Sequence, residues 1–92
     1  MFNNKRRILI VEESDVTTVL TVINRHQGFF SNNDKLAENC GWKNEPSKWY
    51  VRFYASDREW GRIAGDLSKL GNINVNVTPG GATELYFTRK ES

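Results

Sequence analysis

Apolar residues recur along this chain in two rhythms, and the alternation between the rhythms predicts the order of its elements. Arg7 to Val11 is a continuous β-favouring run, as expected of a central strand buried on both faces. Glu12, Glu13 and Asp15 end it. Val16, Val19, Leu20 and Ile23 then fall at helical spacing, while Thr17, Thr18 and Thr21 face away, so a helix is expected to about Arg25 with Ser14 or Asp15 as its N-cap. Gly28 is the natural stop. The stretch 28–47 reads as an irregular insert holding a short helix from a cap at Asn33 to Cys40, closed by Gly41, with Glu45-Pro46 as a turn. From Lys48 to Ala55 the rhythm becomes two: Trp49, Val51 and Phe53 share one face, and Tyr50, Arg52 and Tyr54 the other.

A second helix follows. Ser56 and Glu59 have the spacing of a capping box, and Trp60, Ile63, Ala64, Leu67 and Leu70 form its apolar stripe before Gly71. Gly61 and Gly65 beside that stripe suggest a helix backbone lying close to its sheet. Ile73, Val75 and Val77 alternate with asparagines, which predicts a strand with one wet face. Pro79-Gly80-Gly81 turns the chain back into a partner strand from Glu84 to Arg89. This hairpin offers an edge for self-pairing, although the pattern leaves the strand order open.

Strand, helix, insert, strand, helix, strand, strand implies crossover connections, with both helices on one face of a mixed or antiparallel sheet. The simplest solution is a ferredoxin-like two-layer α+β sandwich. Ninety-two residues fit one domain, expected to span 1–92 with residues 1–6 as a flexible N-terminal segment. With 38% hydrophobic and 12% aromatic residues the chain can fill a core, in which aromatics must carry much of the buried area.

Charge and cysteine usage narrow the classes. Thirteen basic against 11 acidic residues give a formal net charge of +2, which permits nucleic-acid binding without indicating it. Cys40 and His26 each stand alone in type, so no disulfide framework and no ordinary zinc site is expected. A lone cysteine suits a reducing compartment, and the apolar run Ile8 to Val11 is too short for a signal-peptide core or a membrane span. Cytoplasmic residence without a membrane partner is the expectation.

Two partial resemblances bear on function. The segment Arg7-Ile8-Leu9-Ile10-Val11-Glu12-Glu13 through Gly28-Phe29 resembles the first strand and helix of response-regulator receiver domains. That resemblance implies Glu12 and Glu13 as a magnesium-binding acidic pair. A receiver needs further strand–helix units for which this chain has no length, and a hydrophobic strand with a solvated helix entry explains the same residues. Lys48-Trp49-Tyr50-Val51-Arg52-Phe53-Tyr54 resembles the aromatic third strand of the RNA-recognition motif. That resemblance implies Tyr50 and Tyr54 as base-stacking residues with Arg52 as a cation between them. Here the first strand lacks the family's aromatic, and Trp49 stands where a glycine is usual.

No nucleophile elbow, phosphate loop or metal-ligand spacing is present in the sequence. His26, beside Arg25 at a helix end, fits a dipole-capping role better than acid–base work, and Cys40 reads as a small helix-end filler. Catalysis and cofactors are therefore not expected. The face Tyr50/Arg52/Tyr54 is the candidate binding surface, since aromatics and arginine dominate protein hot spots and also stack on bases. A solvated sheet face explains the same residues. Trp42 reads as a plug at the core edge or as an anchor, with the plug favoured, and Lys5, Arg6 and Arg7 as a solubilising terminus or a source of phosphate contacts. The resulting expectation is a non-enzymatic accessory or regulatory domain, or an inhibitor of the kind a phage or mobile element encodes, that binds a protein partner. A single-stranded nucleic-acid-binding module is the alternative.

Overall fold

The computed structural model describes residues 5–27, 36–81 and 83–90, with Gln27 described through its backbone only. The chain runs β1 (Lys5–Glu12), a 3-10 turn (Glu13–Asp15), α1 (Val16–Gln27), β2 (Leu36–Asn39), β3 (Lys48–Ala55), α2 (Asp57–Leu70), β4 (Gly71–Val77) and β5 (Thr83–Arg89). The five strands form one mixed sheet in the order β2-β3-β1-β5-β4. Strand β1 is antiparallel to β3 and parallel to β5, and the β2–β3 and β4–β5 pairs are antiparallel. This is an α+β fold compatible with a two-layer sandwich. Among the described residues no helix is long and apolar enough to cross a membrane.

The apolar run of β1 earns its central place. Leu9 and Val11 point under the helices and are fully buried, while Ile10 on the opposite face is 5% exposed. Both helices bury their stripes on the same side: Val19, Val22 and Ile23 of α1, and Ile63 and Leu67 of α2, close over Leu9, Val11, Val51, Phe53 and Phe87. Burying each of the two phenylalanines stabilises the fold by roughly 2–3 kcal/mol. Trp49 is half-buried against this core, and Trp60 tilts over Phe53 with ring centroids 6.2 Å apart. Phe87 also explains why β5 rather than β4 lies beside β1. It needs the covered middle of the sheet, whereas Val75 and Val77 on β4 are each 63% exposed. The strand expected to have one wet face is thus wet on both faces over its second half.

Several other expectations are corrected. Leu36–Asn39 is a strand, not the end of a helix, because Leu36 to Asn39 pair in register with Arg52 to Trp49 of β3. Backbone pairing outweighs the weak helical preference of four residues. The expected stop at Gly28 and cap at Asn33 lie outside the described residues, as do residues 1–4. Lys5 and Arg6, expected in a flexible segment, belong to β1 and pair with Ala55 and Tyr54. A 3-10 turn, Glu13–Asp15, precedes α1, and its own N-cap, Glu12, makes no side-chain cap bond; Asp15 is 5% exposed and faces the Arg89 guanidinium at 3.7 Å. Gly61 and Gly65 are on the solvent side of α2, where an added Cβ meets nothing within 4 Å. The close approach is at Gly71, where a Cβ would stand 2.2 Å from the Thr88 carbonyl oxygen. The α2 capping box is present as expected, with the Ser56 hydroxyl accepting from Glu59 N–H at 3.2 Å and the Glu59 carboxylate accepting from Ser56 N–H at 3.0 Å.

Candidate functional site

Strand alternation sends one set of side chains away from the helices, and these build an outer face. Tyr50, Arg52 and Tyr54 of β3 lie on it, but all three are half-buried rather than fully outward. Register explains why. Ile10 of β1 has Tyr50 directly opposite on one side and Tyr86 of β5 on the other, so two phenol rings flank and shelter it. Tyr86 was not singled out in the sequence. The available signal was its parity with Glu84 and Thr88, which becomes informative only once β5 is known to adjoin β1.

The loop between β2 and β3 completes the site. Asn39 ends β2 and staples this loop: its side-chain oxygen accepts from Gly41 N–H at 2.8 Å, and its amide donates to the Pro46 carbonyl at 2.8 Å. Gly41 adopts a φ of 74°, the left-handed region that glycine enters without a Cβ penalty. A turn with Glu45 N–H bonding to Trp42 O at 3.2 Å follows. Trp42 consequently lines a groove on the outer face with Ile8, Ile10, Cys40, Tyr50 and Glu84, enclosing about 320 Å³. It does not plug the helix-side core.

Polar groups rim this groove in opposed pairs. Tyr50 Oη donates to the Glu38 carboxylate, and this bond pushes the phenol ionisation above its ordinary range. Glu12 accepts from Ser47 Oγ at 2.5 Å and meets Lys48 Nζ at 2.9 Å. The Ser47 hydrogen bond is the largest cause, ahead of Lys48, of the lowered ionisation of this carboxyl. Burial, then Glu84 and Glu45, raise the Cys40 thiol, so it stays protonated at neutral pH and is a poor nucleophile. Burial also raises Tyr86. Arg52 Nε on this face and Trp49 Nε1 on the helix side are both buried with no hydrogen-bond partner among the described residues, each a desolvation cost to stability.

The remaining candidates are drawn elsewhere. Arg7 lies on the helix side, where its guanidinium donates to Asp57 at 2.7 Å and to the Ala55 carbonyl at 3.3 Å and sits 5.8 Å over the Trp60 ring. Lys5 reaches the same Asp57 at 3.3 Å. Arg7 and then Lys5 lower the Asp57 ionisation. Both basic residues thus tie β1 to the first turn of α2, and only Arg6, opposite Tyr54, belongs to the outer face. His26 lies in the last turn of α1 beside Arg25, as expected, and also reaches the second helix. Its Nε2 lies 2.5 Å from Asp66 of α2 and is the main cause of that carboxyl's lowered ionisation. Glu12 and Glu13 part company, Glu12 to Ser47 and Lys48 and Glu13 into the exposed 3-10 turn, so they form no acidic pair. Among the described residues no group of three or more His, Cys, Asp or Glu is placed to hold a metal ion. A recess of about 370 Å³ between the helices is lined by threonines of α1 and by charged groups that pair with one another, Arg25 and Lys69 both on Asp66 at 3.6 and 3.7 Å.

No family model, no curated protein and no solved structure matches this chain.

Proposed function

We propose that this chain is a non-enzymatic accessory or regulatory domain that binds a protein partner through the outer face of its sheet. The observation that carries the reading is the groove walled by Trp42, Tyr50, Ile8 and Ile10. An apolar, aromatic floor inside a polar rim is the anatomy of protein interfaces, where Trp, Tyr and Arg supply most of the binding energy. The rim also favours protein over nucleic acid. Glu12, Glu38 and Glu84 offset Arg6, Lys48 and Arg52 on this face, so it lacks the basic excess that a phosphate backbone requires.

A ferredoxin-like frame belongs to the same proposal. The order β2-β3-β1, with both crossover helices on one side, supports it; the β4–β5 hairpin then takes the place of a single last strand. A cytoplasmic location rests on the lone Cys40. A non-enzymatic role is supported by His26 and Glu12 being held on different elements by different partners.

Affinity capture from the native host tests the reading. The Tyr50→Ala, Arg52→Ala double variant, folded by circular dichroism, should lose the co-purifying partner that the unaltered chain retains. Retention by the variant would reject this surface. The single-stranded alternative, with Tyr50 and Tyr54 stacking on bases, predicts quenching of tryptophan fluorescence by an oligothymidylate at low salt and steep loss of that signal as salt rises. No response at low salt removes it.

A further inference from the structure

The two margins of the sheet are built differently. Strand β2 has four residues and carries Glu38, whereas β4 has seven and no charged or proline residue. From Gly71 to Thr83 the chain has no charge at all. Protein sheets usually blunt such an edge with lysine, proline or a bulge, because its unpaired N–H and C=O groups are a template for another strand. No described residue pairs with the outer side of β4.

The phase of the hairpin says which groups are offered. Lys90 N–H bonds to Leu70 O at 3.0 Å, so the pairs that exchange bonds within the hairpin are those in step with Leu70 and Lys90. Asn72, Asn74 and Asn76 therefore bond inward to β5, and Ile73, Val75 and Val77 turn their backbone groups outward. Gly71 N–H is occupied by Leu67 O at the end of α2. The available edge is thus residues 73–77, and the side chains on its outward-bonding positions include Val75 and Val77, each 63% exposed.

We propose that β4 pairs antiparallel with β4 of a second copy of this chain, Val75 opposite Val75 and Ile73 opposite Val77, joining the two sheets into one. Self-pairing about a two-fold axis sets every residue against its own kind or a near neighbour. A charged edge strand would repel itself in this arrangement; this strand cannot. The parity keeps both helix layers on the same side, sets the valine rows against each other and leaves the asparagine rows together on the outer face. The groove reaches β5 through Glu84, but none of its lining residues is on β4, whose outer side faces away from it, so loss of partner binding and loss of self-pairing are separate results.

Sedimentation of the full chain into the high micromolar range tests the proposal. The expected species has twice the monomer mass of 10.6 kDa. Val75→Lys sets two ammonium groups together at the centre, and Val75→Pro removes only an outward N–H, so both variants should sediment at 10.6 kDa with unchanged circular dichroism. In a Cys40→Ser background, Val75→Cys should be joined by oxidised glutathione into a disulfide dimer, because residues opposed at a bonded position lie about 5.5 Å apart at Cα. Asn74→Cys should not be joined, since Asn76 stands opposite it. A chain that stays at 10.6 kDa, leaving the edge to a segment of some other protein, overturns the proposal. So does a dimer that survives both substitutions, or one that cross-links through position 74 in preference to 75.

Discussion

An added methyl group at three glycines separates sheet contact from solvent. At Gly71 it would press on the Thr88 oxygen at 2.2 Å and on the Arg89 Cα at 2.9 Å, both backbone atoms that cannot swing aside. Gly71→Ala is expected to cost about 1–3 kcal/mol, as other overpacked sites do. Gly61→Ala and Gly65→Ala fill open space on α2 and should each stabilise by about 1 kcal/mol, the helix preference for alanine. Urea unfolding of the three variants checks the contrast, and a stabilised Gly71→Ala would contradict the packing described. Arg52 invites the opposite experiment. Replacing it with methionine keeps the apolar stem and removes the unpartnered Nε, so stability should rise by about 1 kcal/mol even as the proposed binding face is lost. A large fall in the unfolding midpoint would show instead that the guanidinium holds the sheet.

Among the elements, α2 is the one whose local signals agree throughout. Its capping box, apolar stripe and terminal Gly71 all point the same way, and Ser56→Ala should cost about 1 kcal/mol by orphaning the Glu59 amide. Thermal unfolding is the measurement; an unchanged midpoint would mean the cap contributes nothing here. Strand β2 is the opposite case. Leu36-Ala37-Glu38-Asn39 has no strand pattern of its own and exists because β3 supplies a ladder. The loop that follows depends on Asn39 bridging Gly41 and Pro46. Asn39→Ala should therefore release Trp42, which hydrogen exchange of the amides in 40–47 would register as faster opening. Protection equal to the unaltered chain would refute the staple.

Across the whole molecule, charge pairs bind separate layers. Asp57 joins α2 to β1 through Arg7 and Lys5, Asp66 joins α2 to α1 through His26, and Glu12 joins β1 to β3 through Ser47 and Lys48. All three carboxyls ionise more readily in the native state than in an unfolded chain, for those reasons in that order of cause. Between the lowered native values and the ordinary carboxylate range the unfolded chain therefore binds more protons. The contribution is complete above that range and disappears as pH falls through the lowered native values. The urea midpoint should fall between pH 5 and 3 (about one to two units around the ordinary carboxylate pKa), and Asp66→Asn should flatten that fall. Because Asp57 is largely and Glu12 and Asp66 partly solvated, the effect is modest and salt-sensitive. A midpoint independent of acid would contradict it.

The alternation in β3, the buried run of β1, both main helices and the carboxyl-terminal hairpin were legible in the residues, because each is set by local periodicity and capping. Tyr50, Arg52 and Tyr54 were correctly assigned to the face away from the helices for the same reason. Strand order, the strand character of β2, the place of Trp42 over the outer face and the partnership of Tyr86 with Ile10 were decided only by tertiary structure. Each depends on which distant segment lies alongside, and a period of two or of 3.6 carries no information about neighbours across a sheet. Arg7 shows the limit within one side chain: its charge was plain in the sequence, but Asp57 and Trp60, which engage it, stand fifty residues away in the chain.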